Sequence, residues 1–129
     1  MSEAVLPICV IEDNTPIRRL FCTILKKAGY ETVDFADGFS SIDYLKESPV
    51  AGIIMDILLP DLNGTELIAM VRDLPNVGDV PIIAVTGFAQ ANDRERFIQL
   101  GFDSYIAKPV NTATFVSEVK TIFDSKSKS

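Results

Sequence analysis

Five short β-rich runs alternate with five helical patterns along the chain, and that alternation limits the possible folds more than any other feature. The runs are Ile8–Ile11, Thr32–Phe35, Gly52–Met55, Pro81–Val85 and Ser104–Ala107. Three of them are nearly continuous in Ile, Val, Met and Ala, the composition of strands covered on both faces. Strands that alternate with helices indicate a parallel sheet with helices packed on each side.

The helical patterns are readable from their apolar spacing. Ile17, Leu20, Phe21, Ile24 and Leu25 form one stripe, with Thr15 expected as the cap, Pro16 in the first turn and Gly29 just past the end. Phe39, Ile42 and Leu45 mark a shorter helix that closes before Pro49. Asn63 and Glu66 have capping-box spacing ahead of Leu67, Ile68 and Val71. A weaker pattern runs from Asn92 to Leu100, its charges Asp93, Arg94, Glu95 and Arg96 forming a solvated face. The last helix carries Phe115, Val119, Ile122 and Phe123 and is capped near Asn111. Asp37-Gly38 after the second run reads as a simple turn.

A chain of 129 residues is long enough for one good core and is of ordinary single-domain size. The expectation is one domain over residues 1–129, with its core at about 5–124 and a frayed Ser/Lys tail from Ser125 to Ser129. Twelve basic against 18 acidic residues give a net charge of −6, which argues against direct nucleic-acid binding. No apolar run approaches the roughly 20 residues of a membrane span, and Met1–Pro7 lacks the character of a signal peptide, so the expected location is cytoplasmic. Cys9 and Cys22 sit in apolar runs and read as buried free thiols. The sequence contains no histidine, which excludes His-based zinc sites, Ser-His and Cys-His catalysis, and a phosphohistidine on this chain.

In open α/β sheets, ligands bind beyond the carboxyl ends of the strands. The first run ends in Glu12-Asp13, the third in Asp56, the fourth in Thr86 and the fifth in Lys108. Taken singly, each has an ordinary explanation: Glu12-Asp13 as caps, Asp56 as a strand stop, Thr86 as turn chemistry, Lys108 as a solvated strand end. Together they gather three carboxylates, a hydroxyl and an ammonium at one sheet edge. Carboxylates so placed repel one another unless a cation intervenes. An all-oxygen donor set suits a hard divalent ion such as Mg²⁺. A carboxylate beside such an ion, a lysine and a hydroxyl is equipped to take a phosphoryl group.

At these residues the chain resembles the receiver domains of two-component response regulators, over about residues 5–124. The resemblance is carried by Ile11-Glu12-Asp13-Asn14, Met55-Asp56-Ile57-Leu58-Leu59-Pro60, Asn63-Gly64-Thr65-Glu66-Leu67, Val85-Thr86-Gly87 and Lys108-Pro109-Val110. It implies a flavodoxin-like (βα)5 doubly wound parallel sheet of strand order 2-1-3-4-5, with a cis Lys108–Pro109 peptide. It implies Asp56 as phosphoacceptor, with Mg²⁺ held by Glu12, Asp13, Asp56 and the backbone carbonyl of Leu58. Thr86 and Lys108 would contact the phosphoryl group, and Thr86 and Tyr105 would form the switch pair. The implied partners are a histidine kinase or histidine phosphotransfer protein and a downstream protein target. The implied chain is a monomer that assists its own phosphoryl transfer rather than a turnover enzyme.

Several positions depart from the commonest family pattern. Glu12 replaces a frequent Asp, adding a methylene that favours water-mediated contact with a metal. Leu59 stands where Met is usual, and Gly87 where Ala is commoner. Leu58 and Phe88 occupy the two positions that tune dephosphorylation in the family. Neither can orient a water, so a long-lived phosphorylated state is expected. The rival readings are an aspartyl phosphatase and a flavodoxin-like binding module or degenerate receiver. The first lacks its general acid, since Ile57 and Leu58 follow Asp56; the second lacks a Gly-rich phosphate loop.

Overall fold

The computed structural model describes residues 6–87 and 93–127. Strands β1 (Ile8–Ile11), β2 (Thr32–Phe35), β3 (Gly52–Asp56), β4 (Ile82–Thr86) and β5 (Ser104–Ala107) alternate with helices α1 (Thr15–Lys27), α2 (Gly38–Glu47), α3 (Gly64–Arg72), α4 (Asp93–Leu100) and α5 (Thr112–Ser127). All strand pairs are parallel, in the order β2-β1-β3-β4-β5. This is the doubly wound sheet expected from the sequence.

Alternation along the central strands divides the core in two. Cys9, Ile11, Ile53, Met55, Ile82 and Ala84 point to the side covered by α2, α3 and α4, against Leu45, Leu67, Ile68 and Phe97. Ile8, Val10, Ile54, Ile83 and Val85 point to the side of α1 and α5, where Phe21 stacks on Phe115 with ring centres 4.8 Å apart. Each strand residue is thus buried on one side or the other, which is why β1, β3 and β4 read as unbroken apolar runs. Cys9 and Cys22 are both free and buried, and burial raises both thiols above their ordinary range.

Four local expectations need correction. Asn14, not Thr15, caps α1: its side chain accepts the amide of Ile17, and Thr15 already lies within the helix. Asp37 is more than a turn residue, because its carboxylate caps α2 at Ser40. β3 and β4 each run one residue further than the apolar pattern, taking in Asp56 and Thr86. Finally, α5 continues through the Ser/Lys tail to Ser127, since nothing after Phe123 breaks a helix. The Asn63–Glu66 capping box is present in full, and the Lys108–Pro109 peptide is cis. At the end of α1, Gly29 takes φ +97°, a conformation that suits glycine, and lets the Tyr30 amide reach back to the Leu25 carbonyl.

Candidate functional site

Parallel strands all deliver their carboxyl ends to the same edge. Glu12 and Asp13 leave β1, Asp56 and Thr86 close β3 and β4, and Lys108 follows β5. They line one open cleft of about 400 Å³, together with Asn14, Ile17, Leu58 and Gly87. The sequence-predicted residues Glu12, Asp13, Asp56, Leu58, Thr86 and Lys108 are therefore brought together. Glu12, Asp56 and Thr86 are 1%, 6% and 3% exposed, a degree of burial unusual for polar side chains at a strand end.

Lys108 is the centre of the charge arrangement. Its ammonium donates to Asp56 Oδ2 at 3.0 Å and meets Glu12 Oε1, also at 3.0 Å. Lys108 is thus no solvated strand end. The other Asp56 oxygen accepts the amide of Leu58 at 3.0 Å, and Glu12 Oε2 accepts the amide of Asn14 at 3.2 Å. Glu12 therefore braces the turn before α1 without capping that helix.

Charge in the cleft is unbalanced. Glu12, Asp13 and Asp56 each offer an oxygen within 4.8 Å of the others, against the single Lys108 ammonium. Burial first, and then the neighbouring Asp56 carboxylate, push Glu12 up to about 7 against the pull of Lys108 and the Asn14 amide. Burial works against the Lys108 ammonium, yet Glu12 and Asp56 hold it above its ordinary value. Glu12 Oε1 is buried, with the Lys108 ammonium 3.0 Å away. Three clustered carboxylates against one ammonium, an excess of negative charge on oxygen-only donors, fit a hard divalent cation such as Mg²⁺.

One further sequence-predicted residue falls outside this cluster. Tyr105 lies half-buried on β5, its ring 5.5 Å from that of Phe97 on α4. Phe88 lies outside the described residues. Leu58, by contrast, is on the cleft wall with its side chain 55% exposed.

Sequence reasoning missed Arg18 and Asp61. The Arg18 guanidinium donates to the Glu12 carbonyl at 2.9 Å while pairing with Asp34 on β2 at 2.9 Å, and so steadies the acidic turn. Its position on the helix face turned toward β2 was the available signal. Asp61 accepts the amides of Gly38 and Phe39, a long-range contact that no local pattern announces.

Comparison with known proteins agrees with this geometry. Residues 8–120 match the family described as the response regulator receiver domain. The polar-differentiation response regulator DivK of Brucella anthropi is 34% identical over 114 residues, covering 88% of this chain and 93% of its own. DivK of Brucella ovis is 34% identical over 121 residues, covering 94% and 96%. Among solved structures, a CheY-like receiver domain protein from Methanospirillum hungatei superposes with a TM-score of 0.86 at 29% identity, covering 97% of this chain and 98% of that one. The receiver domain of a Pseudomonas aeruginosa sensor histidine kinase, with a magnesium ion coordinated in its active-site cleft, superposes with a TM-score of 0.82 at 30% identity, covering 94% and 99%.

Proposed function

The chain belongs to the response regulator receiver domain family, and from that premise we propose that it is a phosphorylation switch whose acceptor is Asp56. The observation that carries this reading is the buried Asp56 carboxylate, 3.0 Å from the Lys108 ammonium, in a cleft shared with two further carboxylates. Because this sequence contains no histidine, the phosphohistidine donor lies outside it, on a sensor kinase or a histidine phosphotransfer protein.

In the transfer, an Asp56 oxygen forms a bond to phosphorus as the donor's N–P bond breaks. The imidazole nitrogen leaves with the electron pair. Glu12, Asp13, Asp56 and the Leu58 carbonyl would hold Mg²⁺, which when bound supplies positive charge to the phosphoryl oxygens. Lys108 supplies a second positive charge, and the Thr86 hydroxyl donates a hydrogen bond to the group once it is attached. The Leu58 amide, already on Asp56 Oδ1, fixes the carboxylate plane. These residues assist the domain's own phosphorylation and slow dephosphorylation, without turnover of a separate substrate.

Phosphorylation replaces one carboxylate charge with about −2 in the cleft. Thr86 and Tyr105 couple that change to the surface of α4, β5 and α5, which then binds a protein target or passes the phosphate to a second histidine. The apolar Leu58 side chain covers the acyl phosphate and orients no water, so the phosphorylated state is long-lived. The domain works in the cytoplasm; among the described residues no helix is long and apolar enough to cross a membrane.

A panel of purified, phosphorylated kinases and phosphotransfer proteins tests this reading, with wild type compared to Asp56→Asn. Transfer to wild type and none to the variant is expected. Equal loading of the variant would remove Asp56 from the account.

A further inference from the structure

Two aspartates close the same helix end. Asp37 is α2's own N-cap, accepting the Ser40 amide at 2.7 Å and its hydroxyl at 3.1 Å. Asp61 arrives from the loop between β3 and α3 and takes the two preceding amides, Gly38 onto Oδ1 and Phe39 onto Oδ2, each at 2.9 Å. One cap is the usual provision for a helix start. The second comes from the loop that begins at Asp56.

A second, independent contact fixes the same loop to the same place. A Cβ at Gly38 would lie 3.0 Å from Leu62 Cδ1 and 3.3 Å from Leu62 Cβ, so glycine at this position lets Leu62 sit against the helix start without giving way. At its start the loop holds the Leu58 amide on Asp56 Oδ1. At its end the Gly64 amide donates to the Ile57 carbonyl at 2.6 Å, and Leu58 forms a bridge with Asn63. The loop is therefore pinned at both ends, and Asp61 and Leu62 anchor its middle on α2.

We propose that Asp61 is a positioning residue for phosphoryl transfer: by docking the β3–α3 loop on the start of α2, it holds the Leu58 peptide against Asp56 and the cation site. This role rests on the phosphorylation switch proposed above. The carboxylate has the form the role requires. Although slight burial opposes it, the amides of Phe39 and Gly38 hold Asp61 below the usual carboxylate range, so it stays ionised at neutral pH. Removing it would release the loop without touching any group in the cleft.

The test separates loop positioning from helix capping. Mg²⁺ affinity by titration calorimetry and loading from acetyl phosphate are measured for wild type, Asp61→Ala, Asp61→Asn and Asp37→Ala. Asp61→Ala should weaken Mg²⁺ binding about tenfold, the low end for loss of a support behind metal ligands, and slow loading at low Mg²⁺. Asp61→Asn keeps one acceptor oxygen and should fall between. Asp37→Ala loses a cap on the same helix and should leave Mg²⁺ affinity unchanged. Wild-type affinity in Asp61→Ala, or an equal loss in Asp37→Ala, would overturn the positioning role. If wild type itself neither binds Mg²⁺ nor loads, the switch reading fails first, and the role of Asp61 falls with it.

Discussion

Replacing Asp56 by Asn should make the Mg²⁺-free domain more stable, although it removes a 3.0 Å ion pair with Lys108. At an effective dielectric constant of about 20, that attraction amounts to about 5.5 kcal/mol. Against it stand two repulsions, from Glu12 and Asp13, each about 3.5 kcal/mol or more at separations within 4.8 Å. Asp13 is exposed, and screening cuts its share to about half. Attraction and repulsion then nearly cancel. The remaining difference is desolvation of a carboxylate that is 6% exposed, a cost the neutral amide largely avoids. Lys108 keeps Glu12 as its partner. The net expectation is a gain of about 1–2 kcal/mol at about pH 8, or about 3–6 °C in Tm for a domain of this size.

The pH dependence has a definite sign. Glu12 is held at about 7, above the ordinary glutamic acid value of 4.5, so between these values the folded chain keeps a proton that the unfolded chain has lost. The stability from that proton is fully present below about 4.5 and is lost as pH rises through about 7. A protonated Glu12 no longer repels Asp56, so the advantage of the Asn variant should shrink at about pH 5.5. Added Mg²⁺ should stabilise wild type more than the variant, because the ion loses a ligand in the latter. Urea denaturation at both pH values, with and without Mg²⁺, measures all three effects. A variant less stable than wild type by more than about 1 kcal/mol at pH 8 without Mg²⁺ would show that the Lys108 attraction dominates, and would refute the electrostatic reasoning.

Three other outcomes are expected. Phe115→Ala removes a fully buried ring stacked on Phe21 and should cost about 3–5 kcal/mol in urea denaturation. Gly64→Ala would place a Cβ 2.9 Å from the Ile57 backbone, next to Asp56, and should lower stability by about 1–3 kcal/mol in the same assay. Leu58→Asn puts a water-orienting amide on the cleft wall and should speed decay of the phosphorylated domain severalfold; an unchanged decay rate would remove Leu58 as the shield.

The architecture was legible because the three central strands meet helices on both sides, which writes burial into the sequence as apolar runs. The cleft was legible for a related reason. In a parallel sheet every strand's carboxyl end lies on one edge, so residues over 90 positions apart, such as Glu12 and Lys108, are brought together by topology alone. What escaped was of three kinds. Asn14 and Thr15 are both competent caps, and only side-chain reach to the Ile17 amide decides between them. Asp61 and Arg72 act across the chain. Arg72 donates to the carbonyls of Gly78, Val80 and Gly101 and pairs with Asp103, a tie between loops that its place at the end of a helix does not disclose. The extent of α5 was missed for a simpler reason: Ser and Lys weaken a helix only slightly, and no Gly or Pro stops it.

The central claim is that Asp56 accepts a phosphoryl group, and covalent mapping tests it most directly. The domain is loaded with acetyl phosphate and Mg²⁺, reduced with borohydride, which converts an aspartyl phosphate to homoserine, and digested for mass spectrometry. The account predicts one phosphoryl group per intact chain and homoserine at residue 56, both absent without Mg²⁺ and in Asp56→Asn. Homoserine at Asp13 or another carboxylate, with residue 56 unmodified, would contradict it.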